Sequence, residues 1–131
     1  MKIKSLISAG LILTLFAAPA FALPTNGGWT TSGQSQYWVS GNITTTNGDK
    51  DKVTASTHSD VSGYITLNTV LHYTLAVGGS DTISEYKYLN MSKDISGTLT
   101  APNAYGSSAN GGHGFTSSVY GSWFGGTDAS F

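Results

Sequence analysis

The side chains able to carry acid–base or metal chemistry are few: three histidines (His58, His72, His113), six aspartates and a single glutamate, Glu85. His58 and Asp60 stand two apart, so on a strand both point to one face, and His72 on a neighbouring strand would supply a third metal ligand. Pairs at this spacing also arise by chance, so an ordinary surface pair is expected and no metal site is assigned. Asn47, Asp49 and Asp51 repeat at the rhythm that opens a calcium loop, but Lys52 stands where such loops need glycine and His58 where they need the closing glutamate. That stretch reads as a solvated turn. His113 is enclosed by Gly111, Gly112 and Gly114, where the backbone is free to adopt positive φ and a ligand to approach closely. It is the histidine expected to touch a ligand.

Hydrolytic chemistry finds little support. A glycosidase needs paired carboxylates across a cleft, and a serine hydrolase of the nucleophile-elbow type needs G-x-S-x-G. The acids here are scattered at turns, no such elbow occurs and there is no cysteine. No catalytic residue is assigned, and a non-enzymatic role is expected. Binding then falls to the aromatic residues Trp29, Tyr37, Trp38, Tyr86, Tyr88, Tyr105 and Phe124, about half of which are expected to pack in a core. With His113, the residues Tyr105, Trp38 and Phe124 are the expected contacts to a ligand or partner.

Strands must position these groups. From Tyr64 to Val77 the apolar residues Ile65, Leu67, Leu71, Tyr73, Leu75 and Val77 share one parity, with Thr66, Asn68, His72 and Thr74 on the other. That alternation predicts a half-buried strand. Shorter alternating pieces predict strands at 29–32, 36–46, 53–59, 94–100 and 115–124, with Asn47-Gly48 closing a hairpin over 36–59. Ser62-Gly63 marks a bend or bulge, and Gly78-Gly79 a turn. Thr82–Met91 carries a capping-box spacing from Thr82 to Glu85, yet its Thr, Ile and Tyr content favours a strand. Residues 101–114, with Pro102, Asn103, Asn110 and four glycines, read as a long loop of functional character. The expected fold is all-β, a single small antiparallel barrel, or a sandwich, of about seven or eight strands.

The first 22 residues read as a secretory signal peptide, since Lys2 and Lys4 precede the apolar run Leu6–Phe16 and Ala20-Phe21-Ala22 has the form a signal peptidase cuts. Residues 23–131 are then one all-β domain. No segment approaches the roughly 20 apolar residues of a membrane-spanning helix. Four lysines and no arginine face seven acids over residues 23–131, a net charge of −3, which disfavours nucleic acid and anionic lipid as partners. With no cysteine, the fold relies on its core and hydrogen bonds even in an oxidising compartment.

Two stretches near the C-terminus, Asp94–Thr100 (DISGTLT) and Val119, Gly121, Trp123, Phe124, Gly125 and Ala129, resemble the strand and closing strand of the eight-stranded barrel in transferrin-binding protein B and related exported acquisition proteins. The resemblance spans about 20 residues and implies a barrel that binds haem or a protein partner. The alanine comes one position late and the lipobox cysteine of that family is absent. Gly27-Gly28-Trp29 with Gly33, and His58-Ser59 with Val61, resemble parts of lactococcin 972 type bacteriocins at spacings that do not fit; that likeness implies an antibacterial role resting on Trp29 and His58.

The expected function is an exported, non-enzymatic binding module for haem, another small ligand, or a protein or cell-envelope partner, located in the medium or periplasm. Its alternatives are a secreted bacteriocin-like protein and a small outer-membrane barrel, the latter suggested by the terminal Phe131.

Overall fold

In the computed structural model, residues 24–32, 35–102 and 104–131 are described; the expected signal segment lies outside them. Six strands account for nearly all of the described chain: β1 (Thr25–Ser32), β2 (Ser35–Thr46), β3 (Lys52–Leu75), β4 (Ser80–Thr100), β5 (Ala104–Ser117) and β6 (Gly121–Ser130). Every pairing is antiparallel. The fold is all-β, as expected, but has six strands and not seven or eight.

The difference comes from two fusions, partly offset at 115–124, where the single strand expected is divided by a turn at 118–120 between β5 and β6. The pieces expected at 53–59 and 64–77 are halves of one 24-residue strand, β3. Its inward parity persists from Val53 to Tyr73, so the chain bends at Gly63 without changing face. A side chain at Gly63 would meet the Phe115 ring and the Thr116 carbonyl, so glycine lets strand and ring approach there. Segments 82–91 and 94–100 fuse in the same way into β4, whose register against β3 shifts between the pairs His58–Asp94, Gly63–Ser92 and Ile65–Leu89. The shift is a bulge, and Met91, at φ 53°, is its left-handed corner. The preference for strand over helix at 82–91 thus agrees with the structure.

Because β3 is so long, three strands pair with it: β2 along 52–59, β5 along 64–75, and β4 along both halves. The result is one bent sheet with two arms. One arm runs β1, β2, first half of β3, last part of β4; the other runs first part of β4, second half of β3, β5, β6. The arms fold face to face and β1 comes against β6, with Asn26 Nδ2 donating to Gly126 O at 3.0 Å. Thr45 Oγ1 donates to Ser130 O at 2.8 Å and further links the arms. The sheet is thereby nearly closed into a barrel. Its core holds Ile43, Val53, Ala55, Ile65, Leu67, Leu71, Tyr73, Ile95, Ala101 and Ala109.

The expected loop at 101–114 is a correction: all but its first few residues lie in β5, between β3 and β6. Its glycines signal crowding, not looseness. A side chain at Gly106 would overlap the Phe131 ring, and one at Gly114 would overlap Thr66 Oγ1. Gly125-Gly126, a glycine pair like those that mark turns, lies inside β6 for the same reason, since Trp123 fills the space over Gly125. The strand expected at 29–32 begins earlier, with Thr25–Gly28 forming the start of β1. The Gly78-Gly79 turn is as expected, both glycines having φ near 92°, a conformation that disfavours other residues.

Candidate functional site

The three histidines occupy three different environments. His113 points into the space between the arms and is 2% exposed. Its Nδ1 lies 2.9 Å from Thr57 Oγ1 and its Nε2 2.7 Å from Thr127 Oγ1. Thr57 donates its own hydroxyl proton to Thr66 O at 3.1 Å, so Nδ1 carries the proton of the neutral ring and Nε2 accepts from Thr127. Burial lowers the pKa of His113 to about 4. The ring fills the space over Gly41 and Gly111, where a side chain would overlap it. At His113, the expected ligand contact, both nitrogens are engaged within the protein and the ring is a buried polar member of the interior.

His72 lies on the outer face of the second arm in a ladder that crosses all four strands. Thr82 Oγ1 donates to its Nδ1 at 3.0 Å, its Nε2 donates to Asn110 Oδ1 at 2.9 Å, and Asn110 Nδ2 donates to Asp128. His58 lies on the outer face of the first arm. Its Nδ1 is 2.6 Å from Asp94 Oδ1 and its Nε2 3.7 Å from Asp60 Oδ1. Asp60 also accepts the Trp38 backbone N–H at 3.1 Å. The register explains this grouping, because His58 is directly opposite Asp94 across the β3–β4 ladder. His72 does not join it, and among the described residues no three groups converge to hold a metal ion.

Beside His58 and Asp94 a groove of about 720 Å³ opens where the arms of β4 approach each other around Met91. Lys87 Nζ reaches from one arm to Ser96 O on the other at 3.4 Å and pairs with Glu85 at 3.3 Å. Its lining takes Ser56, His58, Asp94 and Ser96 from the first arm and Tyr86, Tyr88 and Leu89 from the second. Tyr64 extends the aromatic surface, its ring centroid 5.7 Å from that of Tyr88. Partial desolvation, and then its contact with Tyr64, raise the Tyr86 phenol above the ordinary tyrosine value. The hydroxyl thus stays protonated and able to donate. Tyrosine rings, a histidine–carboxylate pair and two serines lining one groove can hold a ring on its face and hydrogen-bond its edge.

The other expected contacts do not meet there. Trp38 packs edge-on against Trp29 at 5.1 Å, Phe124 lies on β6 beside Gly114, and Tyr105, 70% exposed, stands at the start of β5 opposite Thr74. Two groove residues, Tyr86 and Tyr88, stand among the aromatics singled out from sequence. Asp94 was visible there only as the first residue of a strand. Its meeting with His58 depends on pairing between positions 36 residues apart, which alternation alone does not reveal.

Comparison of the sequence with known families found no family model that matches, and comparison with curated proteins found no match.

Proposed function

We propose that this chain is an exported, non-enzymatic binding module that holds a small, uncharged, hydroxyl-rich ring ligand, such as a sugar unit, in the groove at the bend of β4. The carrying observation is the groove itself, lined both by Tyr86 and Tyr88 and by the hydrogen-bonded His58–Asp94 pair. Such a site takes affinity from aromatic contact and orientation from a few polar groups. The export reading rests on the first 22 residues. The non-enzymatic reading is supported by the pairing of the only glutamate, Glu85, with Lys87 and by the engagement of the groove's aspartate, Asp94, with His58.

The test is a fluorescence titration of residues 24–131 with a panel of neutral oligosaccharides. Saturable binding is expected for at least one, and Tyr88→Ala should weaken it about tenfold, roughly 1.4 kcal/mol for one aromatic contact. Absence of binding across the panel, or an unchanged affinity in the variant, contradicts the proposal.

Haem is a second reading, favoured by one detail. The Asp94 carboxylate on His58 Nδ1 is the arrangement that orients an imidazole and fixes which of its nitrogens is offered to a metal. A Soret shift on haemin addition that is lost in His58→Ala supports haem; a shift unchanged in that variant removes His58 from the account.

A further inference from the structure

Each arm ends in an edge strand, and the edges are treated differently. β1 and β6 lie against each other at the near-closure of the barrel. β4 pairs only with β3 among the described residues, so its outer edge carries unpaired amides and carbonyls. Edges of this kind are ordinarily blunted by charge, proline or brevity. β4 is 21 residues long, contains no proline, and presents Tyr86, Tyr88, Leu89 and Met91 to solvent.

The segment Ile83-Ser84-Glu85-Tyr86-Lys87-Tyr88-Leu89 is complementary to its own reverse about Tyr86. Set antiparallel to a second copy, it places Tyr86 opposite Tyr86, Glu85 opposite Lys87 twice, and Ile83 opposite Leu89 twice. Opposite charges and apolar pairs directly across an antiparallel ladder stabilise it, and like charges there destabilise it. Sliding the register by two residues centres the pairing on Glu85 or on Lys87 and sets like charges face to face. Glu85 and Lys87 pair with each other within the chain, and only the register centred on Tyr86 sets each of them opposite a counter-charge of the second copy as well, while keeping the outer faces of the two sheets on one side.

We propose that the outer edge of β4, from Ile83 to Leu89, is a homodimerisation surface that pairs with the same segment of a second copy of this chain about a two-fold axis at Tyr86. The inference is carried by the charge complementarity of the edge; Tyr86, Lys87, Tyr88 and Leu89 of this edge also line the groove, so its test is made on the unliganded protein.

The experiment is light-scattering mass measurement on residues 24–131, which contain all six strands. Wild type is expected at twice the monomer mass. Glu85→Lys and Lys87→Glu should each run as a monomer, because every cross-pair then joins like charges. An equimolar mixture of those two variants should recover the doubled mass, because each supplies the charge the other needs. Monomeric wild type, dimeric single variants, or a mixture that stays monomeric overturns the proposal. As the chain has no cysteine, a second measurement stands apart from the charge variants. Residues directly opposed across a ladder lie about 4.5–5.5 Å apart at Cα, within disulfide reach. Mild oxidation should therefore cross-link Tyr86→Cys efficiently and Tyr88→Cys, which faces Ser84, poorly. Equal yields at the two positions, or none at position 86, overturn the two-fold register.

Discussion

His113 makes the fold sensitive to acid in a calculable way. Burial favours the neutral ring and sets its pKa near 4 in the folded protein, against about 6.5 in an unfolded chain. Between those values the unfolded chain binds a proton that the folded chain refuses. Stability is therefore fully present above pH 6.5, falls as the pH drops through the window, and stops falling on this account below about pH 4, where both states are protonated. The full difference of about 2.5 pH units corresponds to ~3 kcal/mol, of which about 2 kcal/mol is lost between pH 7 and pH 5. Urea unfolding of wild type and His113→Gln at those two pH values isolates the effect, since every other titrating group is common to both proteins. The wild type should lose about 2 kcal/mol more than the variant between the two pH values. Parallel losses would refute the assignment of a buried, neutral imidazole between Thr57 and Thr127.

Three further outcomes follow from packing. Gly41→Ala places a methyl group where the His113 ring sits and should cost about 1–3 kcal/mol in thermal or urea unfolding; Gly48→Ala, whose nearest neighbour would be 3.7 Å away, should change stability by less than about 0.5 kcal/mol. Phe115→Ala empties the largest fully buried side chain, at the bend of β3, and should cost about 3–5 kcal/mol in the same assay. Deleting Ser107–His113 removes the middle of a strand paired on both edges, so the near-UV circular dichroism of the folded state should be lost; a retained spectrum would return those residues to a loop.

The fold class was legible because alternation is a local property. Residues 64–77 announce their inward parity one by one, and the 36–59 hairpin is marked by its own Asn-Gly turn. Strand number was not legible, because Gly63 and Met91 interrupt the pattern where a chain might end a strand or merely bend it. The choice is made by neighbours: Phe115 occupies the space at Gly63, and β3–β4 pairing resumes beyond the bulge, so that both strands continue through the corner. β5 was misread for a related reason. Its glycines suggested freedom, whereas several of them are required by side chains from other strands, as Phe131 requires Gly106 and Thr127 requires Gly111. The same long-range pairing hid the candidate site. Tyr86 and Tyr88 were recognisable as binding types, but His58 meets Asp94 only through register, and His113 looked accessible because sequence alone does not show Thr57 and Thr127 closing over both its nitrogens.

The groove at the bend of β4 is tested most directly by backbone amide chemical-shift mapping of isotope-labelled residues 24–131 during titration with a neutral oligosaccharide that binds. The predicted shifts cluster at Ser56–His58, Tyr86–Leu89 and Asp94–Ser96. Shifts centred instead on Trp38, Tyr105 or Phe124, with the β4 bend unmoved, would contradict the account and move the binding surface to another face of the barrel.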